Sequence, residues 1–75
     1  MKYRYQWKIA YWPSDNRKDI CGYEHKESKA IQALLKTLSQ LDDIEDIMSA
    51  NVRIIDNTFP FLWVDPHTMN ISRKL

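Results

Sequence analysis

Residues 3–12, YRYQWKIAYW, alternate between two kinds of side chain, and this pattern restricts the possible folds more than any other feature of the chain. The odd-numbered positions carry large aromatic or aliphatic side chains: Tyr3, Tyr5, Trp7, Ile9 and Tyr11. The even-numbered positions are mostly polar or basic. Because successive side chains of a β-strand point to opposite faces of a sheet, the pattern predicts a strand over residues 2–12. We expect its aromatic face in the core and its polar face in water.

A helical repeat follows in the middle of the chain. Between residues 28 and 41, apolar side chains recur at three- and four-residue steps, at Ala30, Ile31, Leu34, Leu35, Leu38 and Leu41. This spacing predicts an amphipathic helix with Ser28 as its N-cap. The helix is expected to stop near Leu41, since the negative charges of Asp42 and Asp43 are unfavourable at a helix C-terminus. Asp42, with Glu45 three residues later, is the predicted cap of a second, short helical turn.

Three shorter segments have the composition of strands. They are residues 20–25, 51–56 and 61–64. Gly22, the only glycine of the chain, is predicted to mark a bulge or a close contact within the first of them. Residues 69–75 are expected to form either an edge strand or a flexible tail. The chain is therefore predicted to be a single α+β domain over residues 1–75, a two-layer ββαββ arrangement with an antiparallel sheet of about four strands and one main helix packed on one face.

The composition argues against a disordered, a disulfide-rich or a membrane-spanning protein. Hydrophobic residues make up 44% of the chain and charged residues 28%, which argues against disorder. The lone cysteine, Cys21, excludes an internal disulfide framework and suits a reducing compartment. No apolar run approaches the roughly 18 residues that a membrane helix needs, so no membrane partner is predicted. We expect a cytoplasmic protein, in the host cytoplasm if the protein is viral.

Charge is distributed unevenly along the chain. Residues 1–36 contain eight basic and four acidic residues, a net charge of +4. Residues 37–75 contain three basic and six acidic residues, a net charge of −3. The two halves nearly cancel, leaving +1 overall, so the total charge by itself favours neither nucleic acid nor membrane. A basic pole and an acidic pole are expected in the folded protein.

One hypothesis is a protein-binding module. The segment FPFLWV, residues 59–64, has no charge, and a two-layer domain covers only one sheet face, so part of this run is expected to remain exposed. The candidate contacts for a protein partner, or for a second copy in a homodimer, are Phe61, Trp63, Asp42, Asp43, Glu45 and Asp46. The alternative is that the C-terminal tail covers the apolar run and that the acidic residues only cap a helix. Small inhibitors from phages and mobile elements often share this size and layout and block a host protein, so the sequence favours a module of that kind, although no motif identifies a family.

The alternative function is nucleic-acid binding by the outer face of the first strand. The candidate residues are Lys2, Arg4, Lys8, Trp12 and Arg53. Basic side chains follow phosphates, and aromatic rings stack on unpaired bases. A basic outer strand is also common as an ordinary solvated surface, and lysine on an edge strand prevents unwanted pairing.

The residues give little basis for an enzyme. Cys21 and His25 are four apart, which in an extended strand separates them by about 13 Å, far beyond hydrogen-bonding distance. One cysteine and two histidines do not supply the four ligands of a structural zinc site. Calcium and phosphate loops require glycines at set positions, and the chain has one glycine. We therefore predict no catalytic residue, no metal, no cofactor and no small-molecule substrate.

Overall fold

The structure is a computed structural model, and it describes residues 3–74. The elements are β1 (Tyr5–Tyr11), β2 (Ile20–Glu24), α1 (Glu27–Gln40), β3 (Ile47–Ile54), β4 (Leu62–Val64) and β5 (Ile71–Arg73). Short 3₁₀ turns span Pro13–Asp15 and Ile44–Asp46. The strands form one sheet in the order β2-β1-β3-β4-β5, and every neighbouring pair is antiparallel. The predicted α+β class is confirmed, but the sheet has five strands because residues 71–73 pair with β4.

The helix covers one face of the sheet and the core lies between them. In β1 the side chains of Trp7, Ile9 and Tyr11 are buried, as the alternation predicts. Trp7 lies opposite Val52 in β3, and Val52 lies opposite Leu62 in β4, so these three side chains share the helix-facing side. From the helix, Ala30, Leu34 and Leu38 complete the core.

The N-terminus of the helix differs from the prediction, whereas its C-terminus agrees with it. The N-cap is Lys26, no side chain caps the first turn, and Ser28 already lies inside the helix, so the Ser28 cap is wrong. The chain leaves the helix at Leu41, as predicted, where the backbone becomes extended. This helix therefore begins without a side-chain cap, and packing of its apolar stripe against the sheet stabilises it.

The segment after the helix contains less helix than predicted. Only Ile44–Asp46 form a 3₁₀ turn, Asp43 is its N-cap without a side-chain cap bond, and the predicted Asp42 cap is wrong. β3 begins at Ile47, four residues before the predicted start, because Ile47 pairs with Tyr11 across a bulge in the register. Backbone pairing with β1 outweighs the local preference of this segment for helix.

The β4–β5 hairpin is closed by a tight turn. The Asp65 carboxylate accepts hydrogen bonds from the backbone N–H groups of His67 and Thr68, at 2.8 and 3.3 Å. Met69 has a φ of 63° and packs against the core. On the helix side, the Arg73 guanidinium donates to the Glu27 carboxylate at 2.8 Å. The tail residues 71–73 therefore form an edge strand. Within residues 3–74, no helix is long and apolar enough to cross a membrane.

Candidate binding surface on the open face of the sheet

The sheet face opposite the helix is not covered by any element of residues 3–74, and we call it the open face. Two rows of directly paired residues cross it. One row consists of Tyr23, Gln6 and Arg53. The other consists of Cys21, Lys8, Asn51, Trp63 and Ser72. Residues paired in this way point to the same side, so strands from both halves of the sequence contribute to one surface.

Four basic side chains belong to the open face: Arg4, Lys8, Arg53 and Lys74. The backbone of Arg4 bonds to Glu24 and to Ile55, which places Arg4 one step beyond Gln6 on the same side of β1. The Lys74 ammonium lies 5.5 Å from the centre of the Trp63 ring, a cation–π distance. Arg53 and Lys74 come from the acidic half of the sequence, so the two predicted poles do not follow the two halves of the chain.

The charges of this face are mostly unpaired among the described residues. Lys8 lies 3.4 Å from the Asp19 carboxylate, at the margin of the sheet. The other ion pairs within residues 3–74 join Arg17 to Asp43 and Arg73 to Glu27, and neither lies on the open face. A local excess of positive charge results, although the whole chain has a net charge of only +1.

A hydrogen-bonded network fixes the centre of the face. The Gln6 side chain is only 8% exposed. Its amide nitrogen donates to the Tyr23 hydroxyl at 3.3 Å, and its oxygen accepts from Arg53 Nε at 2.6 Å. Gln6 was expected to face water, but the side chains of its two partners cover it. The network holds a cation on β3 and an aromatic ring on β2, the two strands that flank β1.

Aromatic rings lie on both sides of Gln6 and Arg53. Trp63 is half-buried on β4, and Tyr23 is 47% exposed on β2. The Tyr3 ring lies 6.2 Å from Tyr23 and 4.6 Å from His25. Tyr3 was expected in the core, but it lies before β1, where its ring packs against the side chains of Tyr23 and His25, and it is 52% exposed. The edge formed by β2 is therefore lined by aromatic rings.

The apolar run predicted as a protein contact is mostly inside the protein. Leu62 and Val64 are buried in the core, and the half-buried Phe61 ring lies 6.3 Å from Tyr5. Only Trp63 reaches the open face, and Phe59 is 79% exposed in the preceding loop. Phe61 and Trp63 therefore do not form one exposed patch.

The acidic residues predicted to accompany that patch lie elsewhere. The Asp43 carboxylate accepts a hydrogen bond from the Tyr11 hydroxyl at 3.4 Å and forms an ion pair with Arg17. Asp42 and Glu45 are exposed, and Asp46 is half-buried. Tyr11 and Tyr5 are at opposite ends of β1, about 20 Å apart. The structure therefore does not bring the acidic turn and Phe61 together.

The residues predicted for nucleic acid are brought together in part. Arg4, Lys8 and Arg53 share the open face, whereas Trp12 lies at the far end of β1 and is 50% exposed beside Asp46. Lys2 lies outside the described residues. Sequence reasoning missed Tyr23 and Lys74 as members of this surface and left open whether Phe61 and Trp63, or Leu62 and Val64, belong to it. Alternation places Tyr23 with Cys21 on one side of β2, but only the pairing of the strands shows which side that is.

The groups considered for metal or catalytic chemistry are dispersed. Cys21 is exposed in β2, and the His25 ring lies beside Tyr3. Among residues 3–74, no group of three or more His, Cys, Asp or Glu side chains could hold a metal ion.

Comparison of the chain with protein-family models, with curated proteins and with solved structures finds no significant match. A functional assignment therefore depends on the residues of the chain itself.

Proposed function

We propose that this protein is a non-enzymatic binding module and that its working surface is the open face of the sheet. One observation carries the proposal. Within the strands of residues 3–74, the positions that point to this face include Lys8 and Arg53 and no aspartate or glutamate. Arg4 and Lys74 extend this side just beyond β1 and β5, and the acidic residue that adjoins it is Asp19, which pairs with Lys8. An ordinary solvated face mixes both signs of charge, so this selection of one sign indicates an anionic ligand.

Hydrogen bonds also order two of the side chains on this face. Gln6 holds both Arg53 and Tyr23 through hydrogen bonds, at 2.6 and 3.3 Å. Binding to side chains that are already ordered costs less conformational entropy than binding to free ones. Small-molecule sites are concave, whereas the residues here are spread over five strands of a sheet. We therefore propose a macromolecular ligand rather than a metabolite.

The test is affinity capture from a bacterial lysate, with a charge-reversed variant and a matched control. The variant combines Arg4→Glu with Lys74→Glu, both exposed residues of the open face. The control combines Lys29→Glu with Lys36→Glu, both exposed on the helix, and changes the net charge by the same amount. We expect the wild type and the control to capture the same ligand and the variant to lose it. Equal capture by all three proteins, or by none, would contradict the proposal.

A protein partner at the other end of the sheet is the second candidate, and it retains the idea of an inhibitor that blocks a host protein. The observation that favours it is the exposure of Trp12, at 50%, and Met48, at 45%, with the backbone of Trp12 bonded to Asp46 in the turn that also contains Glu45. Exposed tryptophan often anchors an interface, and the carboxylates would suit a basic partner. On this candidate, a protein is captured from lysate even after nuclease treatment. Trp12→Ala should abolish that capture, and Arg4→Glu with Lys74→Glu should retain it.

A further inference from the structure

We infer that the ligand of the open face is a single-stranded nucleic acid. This inference rests on the proposed function and names the chemistry of its ligand. The basic side chains of the open face would attract a polyanion of any kind, including an acidic protein. The aromatic rings favour nucleic acid over an acidic protein, because every base offers a π-face for stacking whereas acidic side chains offer none.

The order of groups across the sheet fits an extended strand. Tyr23 and Trp63 lie on β2 and β4, with β1 and β3 between them and an offset of two residues along the strands, so the two positions are separated by about 16 Å at normal strand geometry. Lys8 and Arg53 lie on the two intervening strands. A chain crossing the sheet would therefore meet a ring, then cations, then a second ring.

The contact between Lys74 and Trp63 fits the same ligand. The ammonium lies 5.5 Å from the indole centre and belongs to an exposed side chain at the end of β5. A lysine side chain is long and flexible, so this ammonium can move to a phosphate and free the indole for a base. An unpaired base is needed for this step, because the bases of a duplex are stacked on one another and not available to a side chain.

The experiment is fluorescence anisotropy with labelled 12-nucleotide single strands of random sequence, as DNA and as RNA. The competitors are a 12-base-pair duplex and poly-glutamate. We expect either single strand to bind more tightly than both competitors. For three or four phosphate contacts, affinity should fall by about 20- to 50-fold between 50 and 200 mM salt.

Two substitutions separate stacking from charge. Trp63→Ala should weaken binding by about five- to 150-fold, the range measured for loss of one stacked base, and Trp63→Phe should restore most of it. Arg4→Glu with Lys74→Glu should abolish binding, and Lys29→Glu with Lys36→Glu should leave it close to the wild type. Circular dichroism of each variant shows whether it folds.

Three results would overturn the inference: equal or tighter binding of the duplex, equal or tighter binding of poly-glutamate, and no binding of either single strand. These results differ from failure of the proposed function. If Arg4→Glu with Lys74→Glu abolishes capture from lysate while no oligonucleotide binds, the open face is still the working surface and its ligand is not nucleic acid. If neither assay responds to that variant, both proposals fail.

Discussion

The indole of Trp7 occupies the space that a side chain at residue 22 would need. The two residues face each other in the β1–β2 pair, and a Cβ atom added to Gly22 would lie 2.5 Å from three atoms of the ring. The ring is buried, and its Nε1 has no hydrogen-bond partner among the described residues. The single glycine of the chain is therefore explained by a tertiary contact and not by a turn.

We predict that Gly22→Ala destabilises the protein by about 1–3 kcal/mol, the usual cost of overpacking a core, because the Trp7 ring must move. Urea unfolding measures the change. Cys21→Ala, at the exposed neighbouring position of the same strand, is the control and should stay within about 0.5 kcal/mol of the wild type. A Gly22→Ala protein as stable as this control would show that the ring is free to shift.

The buried face of β4 can be tested by truncating side chains. Leu62→Ala should lower the free energy of unfolding by about 2–5 kcal/mol, because Leu62 is fully buried in the core. Phe59→Ala should change it by less than about 0.5 kcal/mol, because that ring is 79% exposed. Thermal unfolding of the two variants, measured side by side, checks both expectations. A larger loss of stability for Phe59→Ala than for Leu62→Ala would contradict this arrangement.

Two substitutions of Gln6 are expected to affect stability and ligand binding to different extents. Gln6→Ala removes the partner of both Arg53 and Tyr23, and we expect a loss of about 1–3 kcal/mol in the free energy of unfolding, with weaker binding at the open face. Gln6→Glu keeps an acceptor for Arg53 and should retain more stability than Gln6→Ala. It should nevertheless bind an anionic ligand less well than the wild type, since it adds a negative charge to this face.

Urea unfolding and oligonucleotide anisotropy, measured on the same preparations, follow the two properties of the Gln6 variants. If Gln6→Glu binds as tightly as the wild type, the charge of the open face does not select the ligand.

Asp43 should matter more than its acidic neighbours. Asp43→Ala removes the acceptor of the Tyr11 hydroxyl and the ion pair with Arg17, and we expect a loss of about 1 kcal/mol in the free energy of unfolding. Asp42→Ala, at the exposed position before it, is the matched control and should have almost no effect.

Asp43→Asn keeps the oxygen that accepts from Tyr11, so its difference from the wild type should shrink as salt rises and the lost ion pair is screened. Unfolding at 0.1 and 1 M salt checks this, and a loss in Asp43→Asn that does not depend on salt would show that the ion pair with Arg17 is not its cause.

The local patterns in the sequence determined the elements and the fold class. The alternation of residues 3–12 identifies β1 and its buried face, because the two-residue period of a strand is a property of the backbone itself. The leucine stripe identifies the helix and the side it buries for the same kind of reason. Neither signal depends on a distant residue. The limits of this reasoning appear at Tyr3, which lies before the paired part of β1, and at Gln6, which the side chains of Tyr23 and Arg53 cover.

The composition of the open face was decided by the tertiary structure. Residues 61–64 are apolar on both sides, so the sequence does not show whether Leu62 or Trp63 is buried. The pairing of Val52 with Leu62 settles it, and the pairing of Trp63 with Ser72 brings Lys74 to the same side. A shift of one residue in either pairing would exchange the two faces. Such registers depend on hydrogen bonds and packing between segments far apart in the chain, and no local pattern records them.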